Sequence, residues 1–429
     1  MTPEIWVAII GFCLMLLLVF LRVWIGFALF IVGFLGLWYL RGFELATKVL
    51  ATEPFSQTAV NAFTCMPLFC IMGCVISNTG MGADLYLWAQ KMIGHIRGGL
   101  GVATVIASVL FAAVTGNSQV TAMTLGKVSY PEMRKAGYAD TISVGGIAAG
   151  GTIGTMIPPS YGFIVYGLLT ETSIGKLFTA GFIPGMLQMV MYSAVFLVIG
   201  RVRPQLVPAT PKATWLERGK SFKGIWPVVL MLVVVLGGIY TGVFTPTEAG
   251  SVGAGAAIII ALAMRSLSKK AAYTAFVEAV RMTAMIMTLV IGAKIFLRFI
   301  VMTRVTEHMT SAIVSLNVSK YVILLVVFLL YLVIGVVLDV MAGILLTVPF
   351  LFPIMTGLGF DPVWFGIFVV AMMELGEITP PIGLTCSILS GITGVPLERV
   401  FKGIMIFFVP AVLFVLIICV FPQICLLLV

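Results

Sequence analysis

Charge is what this sequence has least of. Only 10% of its 429 residues are Asp, Glu, Lys or Arg, against 61% hydrophobic residues. A soluble chain of this size could hide so much apolar surface only by exposing large apolar patches. Histidine is nearly missing, and His95 and His308 stand alone in polar connectors, which reads as an interfacial position rather than a catalytic one. Acids are fewer than bases, 16 against 25. The resulting charge of +9 does not point to nucleic acid, because Lys and Arg sit in short loops between apolar runs, the pattern of the positive-inside rule. The seven cysteines, Cys13, Cys65, Cys70, Cys74, Cys386, Cys419 and Cys425, are odd in number and lie in apolar runs. Cys70 and Cys74 share a helix face without a nearby His or carboxylate to complete a metal site. With no cluster of His, Cys or paired carboxylates in the apolar runs, a membrane-embedded enzyme is disfavoured.

Long uncharged runs are abundant: Ile5 to Leu21, Val228 to Val243, Tyr321 to Leu338 and Ile404 to Phe421. Each is close to the length of helix that crosses about 30 Å of hydrocarbon. The first begins beside Glu4 and another follows at once, so it is not read as a signal peptide. The chain reads as an all-α polytopic membrane protein. Ten crossings are expected, at 4–21, 23–40, 55–76, 139–170, 177–200, 226–243, 247–264, 274–300, 361–394 and 403–428. Residues 99–126, with Gly116, Asn117, Ser118 and Gln119 at their centre, and residues 321–357, with Asp339 and Gly343 between apolar arms, read as re-entrant hairpins. Irregular backbone at such tips is tolerated in a membrane only where protein or a water-filled cavity covers it.

A basic connector, 201–223, divides the chain into a first half, 1–200, and a second, 224–429. If it is cytoplasmic, alternation puts Arg22, Lys91, Arg97, Lys127, Arg134, Lys135, Arg265, Lys269, Lys270, Arg399 and Lys402 inside, and both termini outside. The halves repeat at an offset of 222 residues: Pro131 falls on Pro353, Met133 on Met355, Gly137 on Gly359, Gly154 on Gly376, and Pro158-Pro159 on Pro380-Pro381. Asn117 falls on Asp339, one polar residue per hairpin tip. Five crossings per half, an odd number, make this an inverted repeat, an architecture of secondary transporters with the site on discontinuous helices near the midplane.

The repeated hexapeptides, Gly154-Thr155-Met156-Ile157-Pro158-Pro159 and Gly376-Glu377-Ile378-Thr379-Pro380-Pro381, carry the chemistry. Two prolines remove two amide donors and push the preceding residue out of helical geometry. The carbonyls freed near Gly154, Ile157, Gly376 and Thr379 suit a small hard cation. The half-helices that follow, starting at Ser160 and Ile382, turn positive dipole ends toward an anionic substrate. The acids at or near membrane depth, Glu171, Glu248, Asp339, Glu374 and Glu377, are functional candidates by default; Glu171 and Glu248 read as interfacial. Lys294 and Arg298 share a helix face and are expected to snorkel outward in a structural role.

With Thr245-Pro246-Thr247-Glu248-Ala249-Gly250, Gly154 to Ser160, Gly359-Phe360-Asp361-Pro362-Val363-Trp364-Phe365-Gly366 and Thr379-Pro380-Pro381-Ile382-Gly383, the chain resembles the large membrane subunit of tripartite ATP-independent periplasmic (TRAP) transporters over essentially its whole length. The resemblance implies sodium-driven import of an organic anion, a carboxylate or sialic acid, by an elevator-type transporter in the bacterial inner membrane. It implies two partners, a small four-helix membrane subunit and a periplasmic substrate-binding protein. It places one sodium site at Thr115, Gly154, Ile157 and Pro159, and a symmetric one near Val337 to Asp339, Gly376, Thr379 and Pro381. Asn117, Ser118, Ser160 and Gly383 then fall to the substrate. The chain departs from the family at the first hairpin, where Thr115-Gly116-Asn117-Ser118-Gln119 replaces a run of serines around a glycine. A passive channel and an autonomous anion exchanger are the competing transport readings.

Overall fold

A computed structural model describes residues 3–305, 308 and 318–429. The described chain is helical, and its helices start where the sequence supplies caps. Thr214 and Thr245 each accept the amide of the residue three positions on, while Glu217 and Glu248 accept the Thr amide in return. These reciprocal bonds satisfy orphan donors at the starts of Trp215–Tyr240 and Pro246–Ala263. Glu248 and Glu171 are exposed, in keeping with interfacial positions.

By length and composition seven described helices can cross a membrane: Ile174–Val202, Trp215–Tyr240, Pro246–Ala263, Lys269–Thr303, Lys320–Val337, Val340–Gly357 and Leu397–Val420. The first two helices, Pro3–Phe20 and Ile25–Arg41, are also apolar, at 18 and 17 residues. The crossing expected at 55–76 has a different shape. A helix, Phe43–Thr58, precedes it and meets Asn61–Ser77 at a bend of 61°. Its Glu53, only 4% exposed, accepts a bond from Arg298 Nε at 2.8 Å. Arg298 is thus exposed, as snorkelling requires, and also pairs with an acid from the other half of the chain.

Small residues bring the helices together. A Cβ on Gly33 would stand 2.7 Å from the Phe296 amide, and one on Gly292 would overlap the Gly26 carbonyl, so Ile25–Arg41 and Lys269–Thr303 cross backbone to backbone. Gly145 and Gly403 do the same for Asp140–Thr152 and Leu397–Val420. Such close approach is the usual source of helix association where lipid removes the hydrophobic drive.

Both hairpins are present. The first is Gly99–Thr115 followed by Ser118–Lys135; the second is Lys320–Val337 followed by Val340–Gly357. The repeat extends to backbone conformation. Gly137 and Gly359 hold φ of +84° and +82°, and both double prolines are joined by cis peptides. Each expected broken crossing is a helix, an irregular stretch and a short helix: Asp140–Thr152 then Tyr161–Thr170, and Pro362–Glu377 then Leu384–Thr393.

Candidate functional site

The first hairpin turns because Gly116 takes φ +63° and closes Gly99–Thr115 with a 2.7 Å amide bond to the Ala112 carbonyl. Asn117 is extended, and its Oδ1 accepts the Val120 amide at 3.0 Å, which starts Ser118–Lys135. Thr115 donates to the Phe111 carbonyl at 3.1 Å and lies 3.2 Å from the Thr121 hydroxyl. This tip packs directly on the first double-proline stretch. A Cβ on Gly116 would be 2.5 Å from the Pro159 carbonyl oxygen, and one on Gly154 would be 3.2 Å from the Asn117 carbonyl. Only glycine meets both needs at 116, a positive φ and a close backbone. Ser160 accepts the Phe163 amide at 3.4 Å and caps Tyr161–Thr170. Thr115, Asn117, Ser118, Gly154, Pro159 and Ser160 are therefore brought together; the Ile157 side chain packs instead on Gly185.

The second half repeats the plan with different side chains. Asp339 accepts the Ala342 amide at 3.4 Å and caps Val340–Gly357, the role of Asn117 in the first hairpin. Gly376 meets Gly335 so closely that a Cβ would overlap its Cα. The Gly376 carbonyl accepts the Thr379 amide at 2.9 Å, and the Thr379 hydroxyl donates to the Leu375 carbonyl at 2.6 Å. The half-helix expected from Ile382 begins instead at Leu384, because Gly383 takes φ +47° and acts as its cap. Ile382 and Pro381 are exposed, whereas the first stretch, 153–160, is buried throughout. Among the described residues the carbonyls of Ile157, Pro159 and Thr379 accept no hydrogen bond.

Hydrogen bonds join the halves at the centre. Ser118 Oγ donates to Glu377 Oε2 at 2.7 Å, with Thr385 Oγ1 at 3.4 Å from the same oxygen. Thr155 Oγ1 donates to Glu374 Oε1 at 2.6 Å, and Gln188 Nε2 donates to Glu374 Oε2 at 3.2 Å. Both carboxylates are 1% exposed. Thr155, Gln188 and Thr385 are site residues that the sequence reading did not select. Two of the three carried a signal: Gln188 is polar inside an apolar crossing, and Thr155 falls on Glu377 at the repeat offset.

A cavity of about 520 Å³, part of it open to solvent, lies where the two tips meet. Asn117, Ser118, Thr155, Tyr161, Asp339 and Glu377 are among its walls; Ser160, Gly383 and Thr379 are not. A cavity between two hairpin tips and two broken helices, inside a multi-pass helical chain, is the arrangement of a membrane permease.

The family model described as "Tripartite ATP-independent periplasmic transporter, DctM component" matches residues 12–424. The C4-dicarboxylate TRAP transporter large permease protein DctM of Pseudomonas aeruginosa is 34% identical over 383 residues, 88% of each chain. The sialic acid TRAP transporter large permease protein SiaM of Vibrio cholerae is 31% identical over 413 residues, 94% of this chain and 96% of the relative. Among solved structures, the YdaH transporter of Alcanivorax borkumensis superposes with a TM-score of 0.60 at 14% identity, over 87% of this chain and 89% of that one. This chain belongs to the DctM family of TRAP transporter large permeases.

Proposed function

We propose that this permease imports an organic acid, a carboxylate or sialic-acid-like anion, coupled to sodium. The observation that carries the reading is the pairing of a hairpin tip with an unwound double-proline stretch, where the Pro159 carbonyl, which accepts no hydrogen bond, lies against Gly116 of the cavity wall. Such oxygens cost free energy in a membrane unless an ion or water meets them. Sodium sites at Thr115, Gly154, Ile157 and Pro159 and at Asp339, Gly376, Thr379 and Pro381 would supply that ion twice. The relatives' names, C4-dicarboxylate and sialic acid permeases, support an acid as the cargo. The amide ends of the half-helices behind Asn117, Ser118, Ser160 and Gly383 would receive the acid group.

The same reading takes 1–200 and 224–429 as inverted halves, with both termini periplasmic in a bacterial inner membrane and 201–223 cytoplasmic. A small four-helix subunit would dock on the apolar faces of 4–40 and 226–243, and a periplasmic protein would deliver substrate. The hairpins and broken helices would then move as an elevator against that scaffold. The test is uptake by proteoliposomes holding the chain with both partners, with and without a sodium gradient. Uptake of organic acid that ignores the gradient refutes the coupling. Equal uptake of free substrate by the chain alone favours an autonomous exchanger.

A further inference from the structure

The helix Trp215–Tyr240 is longer than a crossing needs. Its 26 residues rise about 39 Å, against about 30 Å of hydrocarbon. The surplus falls at its start: Glu217, Arg218, Lys220 and Lys223 come early, and no charge follows Lys223 as far as Tyr240. One face of this start is uncovered. Trp215, Gly219, Phe222 and Trp226 follow at intervals of four, three and four residues, so they share that face. Trp215 is 82% exposed, Phe222 and Trp226 are exposed as well, and a Cβ on Gly219 would meet nothing within 4 Å. Gly219 is thus a notch between aromatic rings, flanked by Arg218 on one side and Lys223 on the other. Arg218 lies 5.0 Å from the centre of the Trp215 ring, yet its Nε and Nη2 are shielded from solvent and have no acceptor among the described residues. Shielded cationic donors without an acceptor are costly, and an anionic oxygen relieves them. The acids near this helix start belong to its other side. Glu217 caps Thr214 and lies 3.8 Å from Lys91, and Asp84 sits behind Gly224, where a Cβ would be 3.1 Å from its side chain.

We propose that this face binds an anionic phospholipid, its phosphate in the Gly219 notch against Arg218 and Lys223 and its chains running beside Phe222 and Trp226. Aromatic rings are favoured at the level of the headgroups, with the ring body in apolar surroundings and the polar edge wet. Bases at that level are drawn to anionic headgroups. A soluble anion would meet the bases and leave the aromatic stripe bare, whereas a lipid covers both. The site requires only that Trp215–Tyr240 crosses a membrane; it does not depend on the sodium coupling or the cargo proposed above.

The test is thermal stabilisation of the detergent-purified chain, alone and with the small subunit, by phosphatidylglycerol against phosphatidylcholine with the same acyl chains. Phosphatidylglycerol should act at a concentration about tenfold lower in both preparations. Arg218→Gln combined with Lys223→Gln should abolish that preference and leave the response to phosphatidylcholine as it was. Lys135→Gln, which removes a base already paired with Glu132, should keep it. Monodisperse elution shows whether the double variant folds. If it does not, Gly219→Leu, which fills open space on an exposed helix face, takes its place and should also lower the preference. Equal action of the two lipids overturns the proposal, as does a preference that the variants leave intact. Stabilisation by inorganic phosphate at the concentration that suffices for phosphatidylglycerol overturns it too, because the site then takes a free anion. A preference shown by the chain alone and lost in the complex has the same force, since the small subunit then covers the face.

Discussion

Thr155→Val isolates the bond that ties the first broken helix to the second. Valine keeps the β-branched shape and removes the hydroxyl that donates to Glu374 Oε1 at 2.6 Å. Glu374 is 1% exposed, and its remaining side-chain donor, Gln188, serves the other oxygen. Deleting a donor to a buried acceptor exposes the acceptor's desolvation cost, about 1–3 kcal/mol and more when the acceptor is charged. The expected loss is therefore about 2–3 kcal/mol, whereas Thr155→Ser, which keeps the donor, should cost under about 1 kcal/mol. Unfolding of the purified chain in mixed micelles by a denaturing detergent gives the free energies. A double-mutant cycle with Glu374→Gln supplies the sharper reading. An amide oxygen still accepts the Thr155 proton, but the bond is neutral, so the coupling should shrink toward about 1 kcal/mol. Strict additivity of the two substitutions, or a valine variant as stable as the serine variant, would refute the assignment of this contact as a lock between the halves.

Gly376→Ala should lower stability by about 1–3 kcal/mol through overpacking, because the new methyl overlaps the Gly335 backbone rather than a movable side chain. Thermal unfolding checks it, and Gly391→Ala, where a Cβ meets nothing within 4 Å, is the control. Arg298→Ala should cost about 1 kcal/mol, since the Arg side chain is 63% exposed while Glu53 retains bonds from Ser56 and Gln57; a change above about 3 kcal/mol would show Glu53 to be more isolated than its contacts indicate. Under the sodium coupling proposed above, Thr379→Val should weaken one sodium site by about 1–3 kcal/mol, while Ile157→Val leaves sodium activation of transport nearly unchanged. Equal, small effects in a sodium titration would mean that Thr379 offers only its backbone.

Residues that dictate backbone geometry were legible in the sequence, and residues that depend on distant partners were not. The double prolines, Gly116 and the Asn117 and Asp339 caps each impose a local conformation, so tips and breaks could be placed from the chain alone. Glu53 shows the opposite case. Its helix, Phe43–Thr58, has little apolar character of its own and makes a candidate span only together with Asn61–Ser77, and its charge is met by Arg298, 245 residues later. The Thr155–Glu374 bond joins positions 219 apart, and a polar residue in an apolar run does not name its partner. Length misleads as well. Val340–Gly357 is long and apolar enough to span, yet it is the second arm of a hairpin, which only the Asp339 break reveals.

The repeat itself explains why the site has one backbone plan and two chemistries. Backbone features recur at both places because the residues that shape them recur in the sequence: the double prolines, Gly137 with Gly359, and a polar cap at each tip. Side chains at equivalent positions diverge. Asn117 stands opposite Asp339, Thr155 opposite Glu377, Ser160 opposite Ile382, and Ile157 opposite Thr379. The first half thus brings neutral donors to the centre and the second half brings the carboxylates that accept from them. Ser118 to Glu377 and Thr155 to Glu374 are the consequence. Were both halves to carry acids, the tips would repel each other; were both to carry hydroxyls, the cavity would lose its charge. Divergence between the repeats is therefore what lets the two tips bond across the centre while leaving one wall of the cavity acidic.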